Sequence, residues 1–400
     1  MSGDCKLSLC QYLLVIYRYS LKMMIVLVLV LLVKTALSGS PCPPRENIYP
    51  CSCLNIKAQG SMIKTVVQCH RLHDKDTLGF VFHSLKSVNL DYFTLYDSFW
   101  NAEISTNKDT NPKAFPRDWL TSLRSKSIEI IDTSLPPCFA CNFKSPCKNF
   151  ETTRFVTVNS TSSSNLCPLC PTGRNNSYPW INCMNKLQEL VLIRGKIETL
   201  GADFFPKRLE SLKKLNLSHN EIRLINPRAF QGLDTLLSMD LSHNRIDSLQ
   251  NMFINPMKLY YLDVSWNKIE NLDATFFIKL PNLKLLFARS NHIAQLQEEH
   301  WKNLPITLTF ADLADNPIKC NCNMKWVNST IPQKTYLKGH CSRDKFYTTR
   351  NLKLNIKYFL QWCEKINKTT TVKPKQKQNS MLLVNKSEAT NKVEQIMHIN

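Results

Sequence analysis

The chain has 400 residues, of which 43% are hydrophobic and 20% charged, a balance that excludes an intrinsically disordered chain and allows two or three domains. Its formal net charge of +20 at neutral pH would attract polyanions such as sulfated glycans, anionic surfaces or nucleic acid. Its 16 cysteines are too many for a protein kept in a reducing compartment, so we expect disulfide bonds.

Residues 1–40 have the order of a secretory signal. An apolar run at 23–33 follows Arg18 and Lys22, and small residues follow it as far as Ser40. We therefore predict a secreted, extracellular protein that is cleaved near the end of this segment. This location excludes nucleic acid as a partner. A signal anchor is the alternative, but the two basic residues interrupt its apolar stretch.

Residues 41–69 contain four cysteines in the pattern C-P-P-R-E-N-I-Y-P-C-S-C, fifteen residues, C. These are Cys42, Cys51, Cys53 and Cys69. The pattern resembles the N-terminal cysteine cap of extracellular leucine-rich repeat proteins, including Toll-type receptor ectodomains. The resemblance implies that the first cysteine pairs with the third and the second with the fourth. Such a lid would cover the apolar end that the first turn of a solenoid leaves without a neighbour.

Residues 70–137 contain degenerate repeat turns. Leu85, Val88 and Leu90 fit one turn and Ile128 with Ile130 fit another, although neither turn ends in asparagine. The apolar alternation still favours strands with one buried face.

Residues 138–184 form a cysteine-rich insertion around a polar run. Its cysteines are Cys138, Cys141, Cys147, Cys167, Cys170 and Cys183. Two C-x-x-C pairs resemble a stretched zinc ribbon, but behind a secretory signal six cysteines are better explained by three disulfides of undetermined connectivity. We predict no metal and no cofactor.

Residues 185–317 repeat one phrase, written L-K-K-L-N-L-S-H-N at 212–220 and L-Y-Y-L-D-V-S-W-N at 259–267. The closing positions 195, 220, 244, 267, 291 and 316 are 25, 24, 23, 24 and 25 residues apart, with glycine at the first and asparagine at the others. This period and the phrase L-x-x-L-x-L-x-x-N resemble the leucine-rich repeat.

The resemblance implies an α/β fold: a leucine-rich repeat solenoid with a parallel β-sheet on its concave face, an irregular or short-helical convex side, and disulfide caps. Each turn shares a continuous core with its neighbours. We expect the closing asparagines to satisfy the backbone groups of the turns that follow each strand.

The outward positions of the strands are the candidate binding residues, because the chain carries no hydrolase, phosphate-binding or metalloprotease motif and no catalytic residue is predicted. The predicted ligand-binding residues are Asp240, Tyr260, Tyr261, Asp263, Trp266, Phe287, Arg289 and Asp312. Aromatic residues with arginine are typical of protein-binding hot spots. We also expect Asp240 and Asp263 to be neighbours on adjacent strands. The alternative is that these are ordinary solvated sheet residues.

Residues 318–364 contain the pattern N-P-I-K-C-N-C followed by two further cysteines. These four are Cys320, Cys322, Cys341 and Cys363. They resemble the C-terminal cap of the same family, which implies the pairs Cys320–Cys341 and Cys322–Cys363. Seven of the residues at 334–357 are basic, which suggests a site for sulfated glycans or anionic surfaces. Residues 365–400 are polar and predicted to be a disordered basic tail without a membrane-spanning segment.

The sequence motif for N-glycosylation occurs at several asparagines. The predicted acceptors are Asn159, Asn175, Asn328, Asn367 and Asn385. A sixth motif at Asn216 falls within a repeat strand, and we expect it to stay unmodified.

These features together predict a secreted, non-enzymatic module that binds an extracellular or cell-surface protein through its concave face. Two alternatives remain open. The C-P-P…P-C-x-C opening also resembles the non-catalytic repeat subunit of a secreted luciferase, which would imply an enzyme partner. The basic cap would instead suit an extracellular-matrix or sulfated-glycan binder.

Overall fold

The structure is a computed structural model that describes residues 42–58, 62–73, 75–98, 123–133, 151–160, 184–202, 204–205, 209–272, 275–342 and 352–370. The signal segment and the six cysteines of the predicted insertion lie outside these residues. So does the predicted tail beyond residue 370.

One sheet of twelve strands runs through the described chain, and its neighbours follow sequence order. Its strands are β1 (Ser52–Lys57), β2 (Ile63–His70), β3 (Asn89–Tyr96), β4 (Arg124–Ile131), β5 (Arg154–Val158), β6 (Glu189–Ile193), β8 (Lys214–Asn216), β10 (Ser238–Asp240), β11 (Tyr261–Asp263), β12 (Leu285–Phe287), β13 (Phe310–Asp312) and β14 (Tyr336–Lys338). Strands β1 and β2 are antiparallel and every later pair in this sheet is parallel. The predicted solenoid with a parallel sheet is therefore confirmed.

The pairing register places equivalent positions of the repeat directly beside one another. Leu215, Met239, Leu262 and Leu286 are paired in succession and are almost fully buried. The residues before and after each of them face the solvent side of the sheet and are half-exposed or exposed. The alternation of the phrase therefore becomes one apolar core face and one accessible concave face.

The closing asparagines form the column that the sequence predicts. Asn220, Asn244, Asn267, Asn291 and Asn316 are buried. In each, Nδ2 donates to carbonyls of its own turn and of the preceding turn, and Oδ1 accepts a backbone N–H of the preceding turn. Gly195 has no such side chain, and its own N–H donates to Asn220 Oδ1 at 2.8 Å.

Serine and threonine occupy the same column in the N-terminal turns. Ser98, Thr133 and Ser160 are fully or almost fully buried, and each hydroxyl donates to the carbonyl two residues before it at 2.8–2.9 Å. Ser160 also donates to the Ile130 carbonyl of the preceding turn at 2.8 Å. A hydroxyl therefore replaces part of the asparagine's role where the repeat is degenerate.

Strand β5 lies within the region 138–184 that the sequence assigns to an insertion. It pairs with β4 on one side and β6 on the other, and Phe155 at its centre is fully buried. This part of the region is therefore one more turn of the solenoid, and its leucine-free sequence R-F-V-T-V explains why the repeat phrase does not reveal it.

The convex side is mostly irregular, with short helical turns. It includes a 3-10 turn at Phe277–Lys279, the helix Glu298–Trp301 and a two-stranded sheet of β7 (Thr199–Leu200) and β9 (Leu224–Ile225). Aromatic rings fill its interior in succession: Phe205 lies 6.2 Å from Phe230, and Phe230 lies 5.8 Å from Phe253. Each of these turns thus contributes a large aromatic side chain to the core on the convex side.

Disulfide-bonded caps close both ends, and all four implied pairings are confirmed. The bonds are Cys42–Cys53, Cys51–Cys69, Cys320–Cys341 and Cys322–Cys363. At the N-terminal end, helix α1 (Lys75–Leu85) packs behind the first strands with Leu78, Val81 and Leu85 fully buried.

At the C-terminal end, the short helix α2 (Trp326–Thr330) and the long helix α3 (Leu352–Thr370) cover the last turns. Helix α3 buries Leu352, Ile356 and Leu360, which are spaced as one helical face. It ends six residues after residue 364, so the start of the predicted tail is helical instead. Across the described residues, no helix has the length and apolar character required to cross a bilayer.

Candidate functional site

Two rows of side chains cover the accessible face of the C-terminal strands. The first row holds Tyr261, Leu285, Phe310 and Tyr336, and the second holds Asn216, Asp240, Asp263, Phe287, Asp312 and Lys338. Because the strands are parallel and in register, every residue of a row has a counterpart about 4.8 Å away on the next strand. The pairing register of the strands therefore determines which side chains lie next to one another at the site.

Four aromatic rings form a continuous ladder across these strands, which we call the aromatic ladder: Tyr261, Phe287, Phe310 and Tyr336. Successive ring centroids are 5.4, 5.4 and 5.9 Å apart. The first three rings are half-buried and Tyr336 is exposed. An apolar, partly accessible surface thus extends over β11 to β14.

A pair of carboxylates borders the ladder. Asp240 and Asp263 are directly paired across β10 and β11, as the sequence predicts. Burial, followed by the nearby Asp263 and Asp240 carboxylates, raises the pKa of Tyr261 to about 12. The Tyr261 hydroxyl therefore stays protonated and donates to Asp263 Oδ2 at 3.4 Å. Burial is also the main cause that raises the pKa of Asp263, with Asp240 adding to it.

Four second-row side chains also have a structural role: Asn216, Asp240, Asp263 and Asp312. In each, Oδ1 accepts a hydrogen bond from the backbone N–H two residues later, at 2.8–2.9 Å. These bonds hold the chain where it leaves the strand. The carboxylates predicted as ligand-binding residues are thus partly committed to the fold.

Asp312 requires a correction. Its side chain is buried, with 4% of the residue exposed, and its second oxygen lies 2.7 Å from Lys338 Nζ. The lysine comes from the C-terminal cap strand β14, so the cap covers this carboxylate. Asp312 is an internal ion-pair partner instead of a contact for a ligand.

Three other predicted residues lie away from the ladder. Tyr260 is exposed at the start of its turn, one residue before β11. Arg289 is exposed and paired with Asp315, whose Oδ2 lies 2.6 Å from its Nε. Trp266 is 51% exposed and lies beyond the end of β11. The structure therefore brings together Tyr261, Asp263 and Phe287, with Asp240 beside them, and separates the rest.

Trp266 belongs to a second ring assembly at the edge of the sheet, the rim stack of His219, His243 and Trp266. The two imidazoles lie 4.1 Å apart and His243 lies 5.3 Å from the indole, with 9° between the ring planes at both contacts. All three residues have positive φ, between 55° and 57°. Partial burial lowers the pKa of His219, and His243 and Arg194 lower it further.

Two ladder residues were not among the sequence predictions. Phe310 occupies the same repeat position as Tyr261, so the register could have identified it. Tyr336 lies in the cap strand β14, outside the repeat phrase, and its sequence carries no comparable signal. The tertiary pairing of the cap with the last repeat completes the ladder.

The predicted basic surface is partly engaged in internal contacts. Lys338 pairs with Asp312, and Lys353 Nζ donates to the Pro332 carbonyl at 2.7 Å. Burial lowers the pKa of Lys353. The basic residues Arg343, Lys345 and Arg350 lie outside the described residues. Lys334 and Lys357 are exposed.

The predicted glycan acceptors have different surroundings. Asn328 is exposed on α2. Asn159 is exposed as well, but its Nδ2 donates to Asp132 Oδ1 at 2.9 Å. Asn216 Nδ2 donates to Asp240 Oδ2 at 3.2 Å. Asn175 and Asn385 lie outside the described residues, and the side chain of Asn367 does too.

Within the described ranges, no group of three or more His, Cys, Asp or Glu side chains is arranged to hold a metal ion. The groups that the described site presents are suited to noncovalent binding: apolar rings, a protonated phenol and neighbouring carboxylates.

Residues 185–246 match the leucine-rich repeat family model. Podocan-like protein 1 of Mus musculus is 31% identical over 135 residues, which are 33% of this chain and 23% of that protein. Lumican of Gallus gallus is 33% identical over 116 residues, 28% of this chain and 32% of lumican. Toll-like receptor 9 of Mus musculus is 26% identical over 157 residues, 39% of this chain and 15% of the receptor. The match thus spans less than a third of each of these relatives.

A similar solved structure is that of the Toll–Spatzle complex of Drosophila. The similarity covers 65% of this chain and 35% of that one, with a TM-score of 0.45 and 16% sequence identity. The closing asparagines Asn220 and Asn244 lie within the residues that match the family model. The described chain folds as a leucine-rich repeat solenoid with a disulfide-bonded cap at each end.

Proposed function

We propose that this chain is a secreted, non-catalytic module that binds an extracellular protein through the aromatic ladder on its concave face. The observation that carries the proposal is the ladder itself: four rings in contact across four consecutive strands, accessible along one side. Aromatic residues at such a surface provide large contact areas with few rotatable bonds to order, which favours protein binding.

The surroundings of the ladder also suit a protein partner. Asp240 and Asp263 border it on one side, and the Asp312–Lys338 ion pair lies within the second row. An apolar centre with polar neighbours is the usual composition of a protein interface. The four cap disulfides support an oxidising, extracellular location.

The direct experiment is capture of a partner from extracellular fluid by the immobilised full chain, followed by affinity measurement with the purified partner. The double variant Phe287→Ala, Phe310→Ala removes the centre of the ladder. We expect the variant to bind at least about 30-fold more weakly, because truncation of central aromatic residues costs about 2 kcal/mol or more.

Leu224→Ala is the matched control, since Leu224 is a large exposed residue (66%) on the convex side. It should leave the affinity unchanged. Both proteins should keep the circular dichroism spectrum and melting temperature of the parent. If the folded ladder variant binds as tightly as the parent, the partner uses another surface and the proposal fails.

A further inference from the structure

The outer end of the β1–β2 hairpin is apolar although it is exposed. Five of the seventeen large hydrophobic residues that are exposed in the described chain fall within residues 49–63, which include β1 and the start of β2. Strand β1 forms one edge of the twelve-stranded sheet. Exposed apolar residues that cluster in this way mark a surface that contacts another molecule or a membrane.

Two antiparallel pairs form this end of the hairpin, and each joins an isoleucine to a lysine. Ile56 pairs with Lys64, and Lys57 pairs with Ile63. Paired residues of an antiparallel ladder point to the same side, while neighbours along a strand point to opposite sides. Each side of the hairpin therefore carries one isoleucine beside one lysine. We call these four residues, together with Met62, the hairpin end.

Both sides of the hairpin end are open to solvent. Ile56 is 50% exposed, Ile63 is 56% exposed, and Met62, which directly precedes β2, is 67% exposed. Further along β2, on the side of Ile63, Thr65 and Val67 are buried in the core. The apolar side chains of the hairpin end therefore lie beyond the part of β2 that the solenoid core covers.

The charge around the hairpin end is positive. Residues 47–73 contain three lysine or arginine residues and no aspartate or glutamate. On the adjacent strand β3, Asp91 is engaged through both oxygens: Oδ1 lies 2.8 Å from Lys126 Nζ, and Oδ2 accepts the Thr65 N–H at 2.9 Å. Glu46 lies in the 3-10 turn Arg45–Asn47, which contacts helix α1 behind the first strands.

This composition favours an anionic lipid surface over a protein. Protein interfaces are enriched in aromatic residues and arginine and depleted in lysine, whereas the hairpin end combines aliphatic side chains with lysine. A symmetric contact between two copies would bring the lysines of both chains together, and like charges oppose such a contact. Aliphatic side chains enter the boundary between lipid headgroups and acyl chains, and neighbouring lysines reach the phosphates.

We propose that the hairpin end binds anionic phospholipid bilayers. Ile56, Met62 and Ile63 enter the interfacial region of the bilayer, and Lys57 and Lys64 contact lipid phosphates. The hairpin and the aromatic ladder occupy opposite ends of the strand order. This inference therefore goes beyond the proposed function, and the two can fail separately.

Vesicle co-sedimentation of the full chain tests the proposal. Vesicles of phosphatidylcholine are compared with vesicles of phosphatidylcholine and phosphatidylserine. We expect the chain to bind the anionic vesicles at least about 10-fold more tightly, because each lysine near an anionic surface strengthens binding by about 5-fold.

The double variant Ile56→Ser, Ile63→Ser removes the aliphatic contribution and should bind anionic vesicles at least about 10-fold more weakly. The matched control is Leu224→Ser, Ile306→Ser, which replaces two residues that are 66% and 75% exposed and lie outside the hairpin. It should bind as the parent does. Because all four residues are exposed, both variants should keep the circular dichroism spectrum and melting temperature of the parent.

A second pair of variants separates local charge from total charge. Lys57→Glu and Lys334→Glu each lower the net charge by the same amount, and both lysines are exposed. Lys57→Glu should weaken binding to anionic vesicles by about 5-fold or more, and Lys334→Glu should have a clearly smaller effect. Equal weakening would assign the attraction to the net charge of the whole chain and overturn the proposal.

The proposal is also overturned if the parent does not prefer anionic vesicles, or if the folded isoleucine variant binds them as tightly as the parent. Light scattering after size exclusion tests the other occupants of the hairpin end. A dimeric parent and a monomeric isoleucine variant, without vesicle binding by either, would assign this surface to a second copy. Loss of a captured protein partner by the isoleucine variant, with vesicle binding unchanged, would assign it to that protein.

Discussion

A single asparagine side chain joins two turns of this solenoid. Asn244 Nδ2 donates to the carbonyls of Leu217, Leu241 and Ser242 at 3.0, 2.9 and 3.2 Å, and its Oδ1 accepts the Ile222 N–H at 3.0 Å. All of these groups are inside the protein, where water cannot replace the amide. The sequence predicts this role because the amide is the side chain that carries both donors and acceptors.

Asn244→Leu should therefore destabilise the protein strongly. A leucine of similar size leaves a buried N–H and buried carbonyls without this partner, and such groups cost about 1–3 kcal/mol each. We expect the free energy of unfolding, measured with denaturant and intact disulfides, to fall by about 3 kcal/mol. Asn282→Ala, at an exposed asparagine, is the control and should change it by less than about 0.5 kcal/mol. A small effect at Asn244 would show that the column contributes little.

The surroundings of Asp263 predict that the stability of the fold depends on pH. Its pKa is raised above the ordinary 3.8, chiefly by burial, so the folded state favours its protonated form. The stability that this group contributes is present in acid and is lost as the pH rises through its folded pKa. Above its folded pKa, Asp263 carries its charge in a partly buried position, directly paired with Asp240 on the neighbouring strand.

Asp263→Asn should therefore raise the free energy of unfolding near neutral pH, and the gain should vanish below pH 3.8. Asparagine can keep the bond to the Ser265 N–H, as Asn216 does for Ser218. Denaturant unfolding of the variant and the parent at both pH values measures this difference in free energy. Asp247→Asn, at an exposed site, is the control. If Asp263→Asn is less stable than the parent by the same amount at neutral and at acid pH, burial of the Asp263 charge does not destabilise the fold.

At the scale of elements, the sequence predicts those turns in which leucine and asparagine recur. It does not reveal β5, because Ser160 replaces asparagine there and the strand contains no leucine. A usable signal is nevertheless present. Three N-terminal turns end with Asp or Asn at positive φ followed by a buried hydroxyl residue: Asp97–Ser98, Asp132–Thr133 and Asn159–Ser160.

Phe155→Ala tests whether β5 is part of the solenoid. Phe155 is fully buried between β4 and β6, so its loss should cost about 3–5 kcal/mol of unfolding free energy. Val158→Ala, at a half-buried position of the same strand, should cost clearly less. A loop inserted outside the core would tolerate both changes equally well, and that result would remove β5 from the sheet.

Some residues of the candidate site could likewise be predicted from the sequence, and others could not. Tyr261 and Phe287 were predictable because they occupy outward strand positions, and strand alternation gives their direction. Trp266 follows its strand at φ 57°, where the chain turns, and a rule based on strand alternation does not apply. Tyr336 depends on the pairing of β14 with β13, a contact between cap and repeat that the sequence does not encode locally.

At the scale of the whole molecule, the caps cover the apolar faces of the first and last turns, which have no neighbouring turn to bury them. The Cys322–Cys363 bond connects the start of the C-terminal cap to helix α3, across 41 residues. Helix α3 packs three buried apolar residues against the last turns. The bond therefore keeps a cover in place over the final repeat.

Replacing both Cys322 and Cys363 with serine should lower the unfolding free energy by about 4 kcal/mol, from the chain entropy that a loop of this length regains. We expect α3 to exchange its amide hydrogens faster, with little change at β3 and β4, because repeats contact mainly their neighbours. Ser342→Ala, at an exposed cap residue, is the control. Equal loss of protection throughout the sheet would contradict this local role of the cap.

Hydrogen exchange of the full chain, alone and saturated with its purified protein partner, tests most directly whether the aromatic ladder is the binding surface. Peptides that contain β11, β12, β13 and β14 should become protected in the complex, while those of the convex strands β7 and β9 should not change. Protection confined to the convex side, or to the N-terminal strands β1 to β4, would show that the partner binds elsewhere.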